Sequence, residues 1–331
     1  MTSLPPIGAN GAPGLATAVV DDDGTALTVR GHGDAVTGSP VTERSVFHAC
    51  SIAKTVTAVG VLRLAQDGLL DLDDEIGTVV TLATSGFPSP TIRQLLAHRG
   101  GVVDPPGSFS PRPDPASPVA DIVAGRSPDH DGPIRVSRAP GQTFEYSDAG
   151  YCLLEAAVET VTGRPFARVM DDLVIRPLGL RDTAFWAGDA PCPIADPVSG
   201  HHSAGTRVTG GRVHYGGLAA SGLWASAADL AHLLADLGRA WSGRGASMLL
   251  APGTAAQMLT SDEPGVGLGV FLVGDLAAPW VMTQGWGVGF QCQARIDPRT
   301  GKTVVVMINA DPGVSQADSP VGATMRRLAV S

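Results

Sequence analysis

From Ser45 to Leu62 the chain reads SVFHACSIAKTVTAVGVL, and this run constrains the fold more than any other stretch. Its apolar part, Ile52 to Leu64, is too long for a strand and gives out near Gly68, so it reads as a buried helix. Lys54 sits inside it, the only formally charged residue of the run at pH 7. It is one of two lysines in the protein, the other being Lys302, and every other Lys/Arg position is arginine. A lysine that snorkels to solvent normally sits among polar neighbours. This one does not.

The stretches on either side set the organisation. GLATAVV (14–20) and TALTVR (25–30), separated by DDDG, read as a β-hairpin. SPTIRQLLAH (89–98) reads as a short helix opened by Ser89 or Pro90, and 101–118, thick with Pro, Gly and Ser, as a long surface loop that could border a site. Helices are expected at 148–162, 165–173 and 227–240, the last with Ser226 as N-cap. GVGLGVFLVG, WVMTQG, GFQCQARID and KTVVVMIN read as consecutive strands, followed by a helix around 315–329. The economical fold joins the N-terminal hairpin to the C-terminal strands in one antiparallel sheet, with the middle of the chain as a helical insertion. The fold class is therefore α+β: 1–70 and 265–331 as the sheet subdomain and 71–264 as an all-helical subdomain.

Composition removes several classes of function. Net charge is -9 and no Lys/Arg block occurs, so nucleic acid and anionic membranes are not expected partners. No stretch reaches the ~18 apolar residues of a membrane span, and the N-terminus lacks a secretory pattern, so the expected location is cytoplasmic. Cys50, Cys152, Cys192 and Cys292 lie far apart with no C-x-x-C pair, which suggests buried reduced thiols rather than a metal site or disulfides. No cofactor is implied.

Three elements carry chemistry. Residues i and i+3 of a helix lie about 4.5 Å apart along the axis on one face, so Ser51 and Lys54 would share a space. A serine hydroxyl needs a nearby base to become a nucleophile, and a helix N-terminus favours developing negative charge. The alternative is a Ser51 helix cap beside a solvent-seeking lysine. FEYSDAGY (144–151) brings Tyr146 and Asp148 to a helix entrance, with a buried aromatic and an N-cap aspartate as the plain reading. In TQGWGVGFQCQ (283–293), Gly285, Gly287 and Gly289 suggest close approach of a backbone or ligand. A phosphate loop is excluded there by spacing and by the absence of a following helix pattern.

In this order the three elements resemble the serine β-lactamase and penicillin-binding-protein superfamily, in its class C β-lactamase-like branch of esterases, transacylases and D-peptidases. The corresponding motifs are Ser51-Ile-Ala-Lys54, Tyr146-Ser-Asp148 and Thr283-Gln-Gly285. GLLDLDDEIG (68–77), TIRQLLAHRGG (91–101), RPLGLRDTAF (176–185) and ASGLWASAADLAHLL (220–234) are similar to the family as well. The resemblance implies a β-lactamase-like sheet flanked by helices, an active site at the junction with the helical insertion, and an acyl-enzyme on Ser51, with Lys54 and Tyr146 as catalytic partners. It implies an oxyanion hole from the backbone N–H groups of Ser51 and Trp286. Asp148, Thr283, Gln284, Gly285 and Trp286 would contact substrate.

Two departures shape the expected substrate. Thr283 stands where the family has Lys or His, so the cation that meets a substrate carboxylate is missing. Asp148 stands where many members have Asn, and a carboxylate there would hold Lys54 as an ammonium and leave Tyr146 as the likelier base. The expectation is a hydrolase or acyltransferase for a small neutral ester or amide, an esterase or a biosynthetic transacylase. A β-lactamase or D-Ala-D-Ala-type peptidase, and a non-catalytic sensor on the same fold, remain alternatives. The sequence leaves open the acyl donor and acceptor, hydrolysis against transfer, and the oligomeric state.

Overall fold

Strands from the two ends of the chain lie side by side at the centre of one sheet. The computed structural model describes residues 12–330 except Ala204 and Ser261, so the first eleven residues and Ser331 of the expected sheet segments lie outside the described residues. β1 (Gly14–Asp21) and β2 (Gly24–Asp34) form the expected hairpin, extended by the short β3 (Ser39–Pro40). After β4 (Phe47–Cys50) comes α1 (Ile52–Gln66). The middle of the chain holds α2 (Ile92–Leu96), α3 (Val119–Val123), α4 (Asp148–Thr162), α5 (Phe166–Met170), β5 (Thr183–Phe185), α6 (Leu218–Ser221), β6 (Leu223–Ala225), α7 (Ala227–Ser242) and α8 (Pro252–Ala256). The chain closes with β7 (Phe271–Val273), β8 (Trp280–Gly287), β9 (Phe290–Ile296), β10 (Thr303–Ile308) and α9 (Pro320–Val330).

Among the described residues the main sheet has seven strands in the order β3-β2-β1-β10-β9-β8-β7, all antiparallel. Period-2 alternation builds its two faces. Val304, Val306 and Ile308 of β10 join Leu15 under Val321 and Met325 of α9, while Val305 and Met307 face the larger core with α1 and α7. α1 is buried on all sides from Ile52 to Leu62, as its unbroken apolar run demands. Gly60 is part of that fit: a Cβ there would lie 2.4 Å from Met170 Sδ.

Several expectations need correction. α2 is opened by Thr91, not by Ser89 or Pro90: its hydroxyl accepts from Gln94 N, and Gln94 Oε1 in turn accepts from Thr91 N. The insertion is not all-helical, because β4, β5 and β6 form a second, three-stranded sheet with β5 and β6 inside 71–264. α7, also inside that segment, packs on β1 and β10 as part of the sheet's cover. The 265–274 strand shrinks to β7, and the last helix starts at Pro320. Cys192 is exposed, whereas Cys50, Cys152 and Cys292 are buried, and all four are free thiols. Among the described residues no helix is long and apolar enough to cross a membrane.

Candidate active site

The chain turns sharply just before Ser51. Cys50, the last residue of β4, has φ +48°, a left-handed conformation that a non-glycine residue rarely adopts. Ser51 follows as the N-cap of α1, but its hydroxyl makes no capping bond. One helical turn later the Lys54 amine points back toward it, with Nζ 3.4 Å from Ser51 Oγ. The same Nζ donates to Ala220 O at 3.0 Å and pairs with Asp148 Oδ1 at 2.6 Å. A compact ammonium with three rotatable donors suits partners spread in three directions, which a planar guanidinium would not. The competing view, a capping serine beside a lysine bound for solvent, is thereby removed. The neighbouring Cys50 thiol is no rival nucleophile: it is buried, and burial, with Cys292 beside it, pushes its pKa well up.

Asp148 is brought to the amine by the start of α4. Ser147 caps that helix, accepting from Gly150 N at 3.0 Å and donating to Asp104 Oδ1 at 2.7 Å. Asp104 also accepts from Asp148 N at 2.7 Å and Ala149 N at 3.0 Å. Burial raises the Asp104 pKa, and the Asp148 charge adds to this against those hydrogen bonds. Burial alone would lower the Lys54 pKa, but Asp148, and then Tyr146, reverse the sign and hold it above its ordinary value.

The Tyr146 ring stacks on His98, centroids 4.3 Å apart, and lies against the amine, whose Nζ is 4.8 Å from the ring centre. His98 is buried, and burial followed by the Lys54 charge lowers its pKa well below the usual value, so it is a neutral ring. Its Nδ1 accepts from Ser147 N at 3.2 Å, which leaves the proton on Nε2.

β8 supplies the opposite wall. A Cβ on Gly285 would sit 2.2 Å from Ala49 O and 2.9 Å from Cys50 Cβ, so only glycine lets this strand press against the residues leading into Ser51. Gln284 and Trp286 face outward, and the indole Nε1 donates to Asp311 Oδ1 at 2.8 Å. Thr283 is elsewhere. It is buried behind the wall, accepting from the Thr55 hydroxyl at 2.7 Å.

These pieces enclose an open cleft of about 540 Å³. Ser51, Tyr146, Gln284 and Trp286 line it as expected, with Asp148 beside Lys54 at its base and Thr283 outside it. Phe271 and Ser315 to Ala317 line it too and were not expected. The 101–118 loop, expected as a border, is not in the lining and acts through Asp104. Phe271 and 315–317 reach the cleft only through strand order and the path into α9, which no local pattern signals. Asp104 had one faint signal, an acid at the edge of a Pro-rich loop. Among the described residues no group of three or more His, Cys, Asp or Glu side chains could hold a metal ion.

Residues 5–323 match the protein family described as Beta-lactamase. The chain is 30% identical over 325 residues to esterase EstB of Burkholderia gladioli, an alignment covering 87% of this chain and 77% of that one. It is 24% identical over 190 residues to the D-alanyl-D-alanine-carboxypeptidase/endopeptidase AmpH of Escherichia coli (strain K12), covering 55% of this chain and 48% of that one. In fold it is similar to D-amino acid amidase from Ochrobactrum anthropi SV3 complexed with D-phenylalanine, with a TM-score of 0.78 and 22% identity over 97% of this chain and 94% of that one.

Proposed function

The chain belongs to the Beta-lactamase family, and from that premise we propose that it is a serine hydrolase acting through an acyl-enzyme on a small neutral ester. One observation carries the reading: Ser51 Oγ lies 3.4 Å from a buried ammonium at the foot of a cleft that, among the described residues, no charged side chain lines. A substrate carboxylate finds no lining cation there, whereas an uncharged acyl group faces Phe271, Trp286 and neutral amides.

In this mechanism Ser51 Oγ attacks the acyl carbonyl while its proton passes to the Tyr146 oxygen, present as a phenolate beside the Lys54 ammonium. The backbone N–H groups of Ser51 and Trp286 receive the oxyanion, each contributing about 3 kcal/mol to the transition state. The alcohol leaves with the relayed proton, and water then frees the acyl group by the reverse path. An amide follows the same steps with a poorer leaving group. Similarity to an esterase over most of both chains favours the ester.

The test is turnover of p-nitrophenyl butyrate and of nitrocefin by wild type and Ser51→Ala. Serine-dependent ester hydrolysis with little nitrocefin hydrolysis supports the reading. Absent turnover, or turnover indifferent to the substitution, favours a binding protein on this fold.

A further inference from the structure

We propose that Gln316 is a positioning residue for the oxyanion hole, holding from behind the peptide group that presents the Trp286 N–H. The inference rests on the acyl-enzyme reading above. Gln316 lies between β10 and α9, is buried, and donates from Nε2 to Gly285 O at 2.6 Å. Gly285 C=O and Trp286 N–H belong to one planar trans peptide and point in opposite directions.

The strand pattern sets which way each one points. Val288 and Gly289 form a two-residue turn, so Gly287 and Phe290 are a hydrogen-bonded pair. Alternation then directs the Gly285 carbonyl toward β9 and the Trp286 N–H toward the opposite edge. That edge is open here, because β7 pairs only with Trp280 to Met282. The glutamine, itself at the cleft wall, therefore grips the carbonyl end of the peptide whose N–H points to that open edge.

Among the described residues nothing else occupies this side chain. A carbonyl can only accept, so Nε2 must face Gly285, and Oε1 has no partner among the described residues. Two further bonds strap the same segment to the strands: Trp286 Nε1 to Asp311 Oδ1 at 2.8 Å and Gln291 Nε2 to Val314 O at 3.0 Å. A donor on a peptide carbonyl polarises the amide, strengthening its N–H by roughly 10–30%. It also stops the plane from rocking as charge develops, which is where preorganised donors act.

The alternative is a glutamine that merely tethers the 311–317 segment, and kinetics with p-nitrophenyl butyrate separate the two. Gln316→Met keeps volume and loses the donor; it is expected to lower kcat about tenfold with KM nearly unchanged. Gln316→Glu donates only while protonated, so it is expected to keep most of kcat in acid and lose it as the carboxyl ionises. That extra limb should be missing from wild type and Gln316→Met. Should Gln316→Met fail to fold, the Gln316→Glu profile decides alone. Wild-type kcat in Gln316→Met, a change in KM only, or losses in Gln316→Glu equal at every pH would overturn the proposal. Failure of the underlying reading looks different: Ser51→Ala would leave wild-type turnover intact.

Discussion

Lys54 and Asp148 meet at 2.6 Å across α1 and α4, the amine side chain 4% exposed and the carboxylate 24%. This pair explains how a helix buried on all sides tolerates a charge. It also fixes the role of that charge. A buried amine would ordinarily shed its proton, but Asp148 and Tyr146 hold the Lys54 pKa up. The folded pKa exceeds the unfolded one, so the pair's stabilisation is in place below the unfolded value of about 10.4 and is lost as pH rises through the folded value.

Asp148→Asn leaves the ammonium buried without its counter-charge. The expected cost is about 2–3 kcal/mol, less than for a fully buried pair because part of Asp148 meets solvent. The alkaline limb of the kcat/KM profile should move toward neutrality by about one unit or more. Denaturant melts and pH-rate profiles check both, and an unmoved limb would mean that Asp148 does not hold the ammonium.

Tyr146→Phe keeps the ring on His98 and removes only the phenol oxygen, at a residue 41% exposed. The melting temperature should hold within a degree or so while acylation slows roughly 10²–10⁴-fold. Stopped-flow release of p-nitrophenol measures this; near-normal acylation would exclude Tyr146 as the base.

Gly285→Ala places a methyl group against Ala49 O, backbone that cannot swing aside. β8 must retreat from Ser51 and carry the Trp286 N–H with it. In the proposed mechanism this takes away one oxyanion donor, a loss of about 10²–10³ in kcat, so activity should fall at least that far. An active Gly285→Ala enzyme would contradict the close approach of these strands.

Glu155 offers a test of stability away from the cleft. Its carboxyl is buried, accepts from Ala219 N at 2.8 Å, and has its pKa pushed up to about 8, chiefly by burial. The folded state then binds the proton more tightly than the unfolded one, so stability falls as pH rises from about 4.5 to about 8. Glu155→Gln keeps the acceptor without the charge. It should match wild type near pH 4.5 and melt a few degrees higher near pH 8; parallel curves would refute the assignment.

How much of this was legible in the sequence follows from the range of each interaction. α1, its Ser51–Lys54 spacing and the β1–β2 hairpin rest on local pattern, and all three are found. Gly285 could be read because glycine in a strand advertises a close approach, though not of what. Thr283 occupies the expected strand but turns to Thr55, since residues of one strand alternate between two faces. Ala220 O and Gln316 were invisible and Asp104 nearly so, each reaching its partner in the site from 31 or more residues away through a side chain or carbonyl with many equivalents in the chain.

All of the chemistry requires a covalent bond between the acyl group and one oxygen. Rapid acid quench of wild type with p-nitrophenyl butyrate, followed by peptide mapping by mass spectrometry, reads that bond directly. The expected result is a butyryl group on the peptide bearing Ser51, absent from Ser51→Ala and slower to form in Tyr146→Phe. Steady ester turnover with Ser51 never acylated would contradict it.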